Sequence, residues 1–334
     1  MKIPKIDYRK DIDGLRSISV LFVIFYHLYP NIFNGGFLGV DIFFVISGYV
    51  ITQSLYNSEK KDFFSYIKNF YARRILRIYP LLVLVSLVTI LLTLIFFSYS
   101  DFDFIFYSFI TSIFGISNLY YIKTGRDYFL DEIDNPFLHT WSLGVEEQFY
   151  LVYPIILFVL LKKFPLENIK FIFIFLTLII ISKFFSLSQR NNEILSFYFP
   201  LTRFWELLSG CLLFFIYKNY KKRILTVKYK DLTVAVALLI IFILLFTAKN
   251  LNLSISLIIV VLCVATLILL SNFSLIKIIL NNFYVSYVGK ISFGLYLWHY
   301  PILYFIKGRD EHHILLSFFL ITASFLVSIL TYEF

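Results

Sequence analysis

Long, unbroken apolar runs alternate with short polar segments along the whole chain, and this pattern predicts membrane-crossing helices. Ten runs read as spans, at about 14–31, 38–56, 78–97, 142–161, 169–187, 197–217, 232–248, 254–271, 284–306 and 312–332. About 20 apolar residues are needed to cross a hydrocarbon core roughly 30 Å thick. Inside it every backbone polar group must be satisfied internally, so spans are helices or closed barrel strands. The runs are continuous rather than short alternations, which selects helices. The expected fold class is therefore all-α, a polytopic transmembrane helical bundle of about ten spans. A further apolar stretch, 102–118, begins beside Asp101 and Asp103 and carries Ser, Thr and Gly. It is expected to lie at the interface or pack on the bundle without crossing.

Composition agrees. Hydrophobic residues make up 60% of the 334 and charged residues 15%, with a mean hydropathy of +0.82; soluble domains are about 25% charged. The net charge of +9 does not indicate nucleic acid, because the basic residues sit in short loops between apolar runs. With the N-terminus inside, the inner segments hold about twenty of the thirty Lys and Arg residues, as the positive-inside rule requires. Counting 102–118 as a span would put Lys162, Lys163, Lys221, Lys222 and Arg223 outside and break the rule. Both termini are then cytoplasmic. Cys211 and Cys263 fall within spans and read as small buried hydrophobes. The polar start is unlike a cleaved signal peptide, so the first span is expected to act as an uncleaved one. No repeat, linker or soluble domain is visible, so 1–334 reads as one membrane domain.

Ionisable groups inside spans cost roughly 2.5–3.5 kcal/mol on insertion scales and mark functional sites by default. Arg16 and His27 are eleven residues apart in the first span, so they share a helix face about 16 Å apart along the axis. That stripe suits a long ligand with its anionic end at the arginine and its reactive end at the histidine. Arg74 and Arg77 are three apart and share a face where the chain enters the third span. Their planar guanidinium groups suit phosphate oxygens, although ordinary inner-surface charge would look the same. Asp41, at the outer end of the second span, is either solvated there or a partner for His27 across the hairpin. The segment HTWSLGVEEQFY holds Trp141, Glu146 and Glu147 in unusual polar density for the start of a span. A carboxylate there can act as a base, orient a histidine or hold a sugar hydroxyl. Arg203 and Glu206 open the sixth span, either as a structural pair or as a substrate contact. His299 stands beside Pro301 in the ninth span and ranks below His27. No GxSxG elbow, P-loop, HExxH or CxxC occurs, so serine-hydrolase and metal chemistry have no support.

Taken together, DIDGLR followed by His27, GGFLGVDIFFVISGY, ARRILRIYP, HTWSLGVEEQFYLVYP, RFWELLSG and GKISFGLYLWHYP resemble, in order, the acyltransferase-3 family of bacterial membrane O-acyltransferases. The resemblance implies a protein of the bacterial cytoplasmic membrane that takes an acyl group, usually acetyl, from cytosolic acyl-CoA. The acceptor it implies is a hydroxyl of an extracytoplasmic cell-surface glycan or glycolipid, such as lipopolysaccharide O-antigen, peptidoglycan or exopolysaccharide. It places the family's essential histidine at His27 and its paired arginines at Arg74 and Arg77, with Arg16 matching the arginine of the first motif. The expected set is catalytic His27 with Glu146 or Asp41, and Arg16, Arg74 and Arg77 on acetyl-CoA. Glu147, Trp141, Arg203, Glu206 and His299 are the expected substrate contacts. Members often carry a C-terminal SGNH hydrolase-like domain, and none is visible here, which suggests a stand-alone member or a truncated chain; an SGNH-type partner is a further expectation. Two rival readings are a transmembrane acyl-delivery subunit and a lipid-linked sugar transporter. No pair of inverted repeats supports the transporter.

Overall fold

The structure, a computed structural model, describes residues 8–58, 62–96, 102–129, 135–164, 170–307 and 314–333. Among them there is no strand. The α-helices are α1 Lys10–Leu28, α2 Gly39–Tyr56, α3 Phe63–Phe96, α4 Phe102–Ile113, α5 Ser117–Thr124, α6 Trp141–Lys163, α7 Lys170–Ser188, α8 Glu193–Tyr198, α9 Pro200–Leu225, α10 Lys230–Thr247, α11 Leu253–Leu270, α12 Lys277–Leu280, α13 Phe283–Lys307 and α14 Ile314–Glu333.

A long helix stands at each position where a span is expected. Seven helical stretches among the described residues are long and apolar enough to cross a membrane, and they contain α2, α3, α6, α7, α9, α10 and α11. The surface is that of a lipid-facing protein. On α3, Leu84, Leu87, Leu91 and Leu94 are exposed while Ser86, Thr89 and Thr93 are buried. The two threonine hydroxyls bond to carbonyls one turn back, Thr89 to Val85 at 2.7 Å and Thr93 to Thr89 at 2.9 Å, so their polarity is satisfied within the helix. The chain is a multi-pass membrane protein.

Two boundaries differ from expectation. Helix α3 begins at Phe63, fifteen residues before the expected span, and its 34 residues extend about 51 Å. Arg73, Arg74 and Arg77 therefore stand on a rigid helix that runs past the hydrocarbon, where a loop was expected. The stretch 102–118 forms the twelve-residue α4 and the start of α5; α4 reaches about 18 Å, too short to cross.

Helix α1 packs on α13 and α2, and α2 packs on α9. The α2–α9 crossing is close because glycines line it: a Cβ on Gly48 would fall 1.9 Å from the Leu207 carbonyl oxygen, and one on Gly210 1.9 Å from that of Val45. Small residues let helix backbones approach in this way in membranes. Helices α1 and α13 run in the same direction, since Asp13 lies beside Gly289 and His27 beside His299. Arg16 and His27 are therefore carried on one helix that packs along α13.

Candidate active site

The first end gathers arginines. Arg16 from α1, Arg74 and Arg77 from α3, and Glu146 and Tyr150 from α6 line one cavity enclosing about 780 Å³, with Phe43, Ser47, Ser142 and Tyr296. Three of these come from the segments read as one site, and the long α3 presents Arg74 and Arg77 from consecutive turns. The Arg74 guanidinium stacks 4.6 Å from the Tyr150 ring. Tyr150 donates its hydroxyl to the Glu146 carboxylate. The ion pairs among the described residues are Arg9–Asp11, Arg203–Asp41 and Arg203–Glu206. Arg16, Arg74 and Arg77 are in none of them.

The second end is built on histidine. His27, in the last turn of α1, is buried. Its Nδ1 lies 3.2 Å from His299 Nε2, and its Nε2 lies 3.0 Å from the Tyr128 hydroxyl. His299 Nδ1 lies 3.1 Å from the Leu295 carbonyl oxygen. A carbonyl can only accept, so His299 carries its proton on Nδ1 and accepts at Nε2. His27 must then donate from Nδ1, which leaves the lone pair on Nε2, facing Tyr128. With both rings uncharged, this order of donors and acceptors gives His27 the tautomer whose lone pair is on Nε2. The Tyr300 ring stands edge-on 4.8 Å from His27. His139 is buried 5.6 Å from His299, with neither ring nitrogen bonded among the described residues.

Tyr296 joins the two ends. It lines the arginine cavity, donates at 2.6 Å to the His139 carbonyl oxygen, meets the Ser142 hydroxyl at 2.6 Å, and lies 5.6 Å from His299. Beyond His27, Tyr128 also lines a cleft of about 1300 Å³ with Tyr26, Phe37, Phe197, Arg190 and Lys249.

Other expected residues lie elsewhere. Asp41 accepts from Arg203 on α9 and makes no bond to His27. Arg203 also lies 3.5 Å from Glu206. All three are buried, and none lines a cavity described here. Arg203 stacks 5.6 Å from Trp141 and 5.5 Å from Phe197, and Phe197 stacks 4.9 Å from Tyr128. Trp141 is packed in that aromatic wall. Glu147 accepts from Tyr79 at 3.2 Å, away from the arginine cavity. Glu146, expected near either the histidine or the sugar, sits among the arginines. Tyr128, Tyr150 and Tyr296 were not legible as site residues, because an aromatic residue in an aromatic-rich chain carries no signal of its own. No group of three or more His, Cys, Asp or Glu side chains is placed to hold a metal among the described residues.

The family model described as an acyltransferase domain, Acyl_transf_3, matches residues 9–333. The chain belongs to the acyltransferase-3 family. It is 32% identical over 347 residues to proteins named O-acetyltransferase OatA from Staphylococcus aureus strains NCTC 8325 / PS 47 and COL, covering 98% of this chain and 56% of each relative. The chain thus spans about half the length of these relatives. No solved structure matches.

Proposed function

We propose that this acyltransferase-3 chain takes an acetyl group from cytosolic acetyl-CoA at its arginine end and passes it, at His27, to a hydroxyl of an extracytoplasmic cell-surface sugar. The observation that carries the reading is the arginine cavity: three guanidinium groups that form no ion pair among the described residues, with Arg16 on the helix that also carries His27. Guanidinium forks match phosphate oxygens, which coenzyme A supplies. The roughly 16 Å between Arg16 and His27 suits a pantetheine arm running along α1. Tyr296 stands where that arm would leave the arginine cavity.

At the histidine end, His27 Nε2 takes the proton of the acceptor hydroxyl as its oxygen attacks the thioester carbonyl. The carbon–sulfur bond breaks, and the coenzyme A thiolate leaves and takes the proton from His27 Nε2, which restores the base. Nε2 has one lone pair, so the Tyr128 hydroxyl occupies the place an acceptor hydroxyl must take and has to turn aside. The cleft beyond Tyr128 gives the acceptor its approach. The relatives' printed name, O-acetyltransferase, supports acetyl as the group transferred. Their greater length keeps a second reading in view, in which the chain delivers the acetyl group to a separate SGNH-type domain or protein.

Purified protein in lipid vesicles with radiolabelled acetyl-CoA tests the proposal, wild type beside Arg74→Ala and His27→Ala. Coenzyme A binding and acetyl release are scored separately. The expected result is lost binding in the first variant, and normal binding without release in the second. Wild-type protein that neither bound nor consumed acetyl-CoA would overturn it.

A further inference from the structure

A second cleft, of about 1380 Å³, lies on the other side of Arg16 and Arg77 from the arginine cavity. Its walls are α3, α13 and α14. Its charged lining residues are Arg16, Arg77 and Lys290, and no carboxylate lines it among the described residues. Asp13, which acts on Arg16, is bonded by the Tyr8 hydroxyl instead.

The charges occupy one end. Helices α13 and α14 run antiparallel, since Gly294 faces Ser328 and the Tyr287 ring meets that of Tyr332 edge-on. Lys290 and Tyr332 therefore mark the same end of the cleft, close to Arg77. From Arg77, α3 continues through Leu81 to Leu84, about 10 Å further along the helix, while Leu330 of α14 lies beside Tyr332 near the charged end. Leu84 is exposed, so the apolar part opens sideways onto the surface that faces lipid. Three cations at one end and open leucines along the rest match an amphiphile with an anionic head. Basic pockets between transmembrane helices hold phosphorylated headgroups by this combination. A nucleotide would set its ribose and base against leucines that face hydrocarbon, which the chemistry disfavours.

We propose that this cleft binds one anionic phospholipid, its phosphate at Lys290 and Arg77 and its acyl chains along Leu81 and Leu84. The site goes beyond the donor reading and does not depend on it, although the two share Arg16 and Arg77. A bound lipid phosphate would also hold Arg77 in place from behind.

The test is native mass spectrometry of the purified full chain, stripped of lipid in detergent and titrated with phosphatidylglycerol or phosphatidylcholine of the same acyl chains. Wild-type protein is expected to bind one phosphatidylglycerol more tightly than phosphatidylcholine. Lys290→Gln should weaken phosphatidylglycerol binding roughly fivefold, the share of one lysine near a membrane surface, and leave phosphatidylcholine unchanged. Leu84→Trp, which fills the apolar part, should weaken it independently. Equal binding of the two lipids, or unchanged binding in both variants, would overturn the proposal. So would a loss of coenzyme A affinity in Lys290→Gln as large as the loss for phosphatidylglycerol, since the phosphate held there would then be the donor's. No acetyl transfer is read, so a failure of the donor reading shows separately.

Discussion

Replacing His299 tests whether the histidine pair works as a unit. In the structure His299 anchors itself to the Leu295 carbonyl and offers Nε2 to His27 Nδ1–H. His299→Leu removes that acceptor and leaves a buried N–H without its partner. An unsatisfied buried polar group costs about 1–3 kcal/mol. If the transition state needs the Nε2 lone pair, most of that falls on the barrier, and about 1.4 kcal/mol is tenfold in rate. The expected loss is therefore roughly 10- to 100-fold in kcat. KM for acetyl-CoA should change little, because the arginines lie one cavity away. His299→Gln places an amide oxygen near the position of Nε2, where it can accept the same proton, and should recover most of the rate. The assay is steady-state release of coenzyme A thiol by protein in vesicles at saturating acceptor. Equal losses for Leu and Gln, or a loss confined to KM, would refute the tautomer argument and leave His299 as packing.

Two further predictions concern the scaffold. Arg203→Met leaves the Asp41 and Glu206 carboxylates buried without their cation, a change that typically costs about 3–5 kcal/mol; the thermal midpoint in detergent should fall sharply, and an unchanged midpoint would remove the pair from the stability account. Gly48→Val forces a side chain against the Leu207 carbonyl and should push α2 from α9, at a cost on the order of 1–3 kcal/mol, read as a lower midpoint and a higher yield of tryptic cleavage than in wild type.

Helix positions were legible because lipid demands long apolar runs, and that demand is local in sequence. The start of α3 was not. Residues 63–77 carry Lys68, Arg73, Arg74 and Arg77, and hydropathy cannot separate a helix that continues into water from a loop. Helical phase placed Arg74 beside Arg77 correctly, since that inference needs only the local period. It could not supply partners across the bundle: His27 and His299 are 272 residues apart in sequence. Asp41 shows what phase does offer. It shares a face with Val45 and Gly48, and that face packs on α9, so Arg203 is within reach and His27 is not. The glycines mark the crowded side of α2, which is the signal that would have sent Asp41 to α9.

The chain treats its arginines in two ways, burying Arg9 and Arg203 and leaving Arg16, Arg74 and Arg77 half-buried or exposed at a cavity. Arg9 and Arg203 each meet an aspartate, Arg9 to Asp11 at 2.5 Å and Arg203 to Asp41, as removal from water requires. Arg16, Arg74 and Arg77 converge on one cavity whose one carboxylate among the described residues, Glu146, is itself bonded by Tyr150. Like charges gathered so closely repel one another, and folding alone gains nothing by gathering them. Their convergence is stable only where the cavity admits something that solvates them, either water or an anion. On the proposed reading the paired arginines serve the fold, and they are expected to be replaceable without loss of the reaction only together with all their carboxylates, Asp11 for Arg9 and both Asp41 and Glu206 for Arg203. On the same reading the unpaired three are expected not to be replaceable, because the charge they leave unbalanced would recruit the anionic ligand.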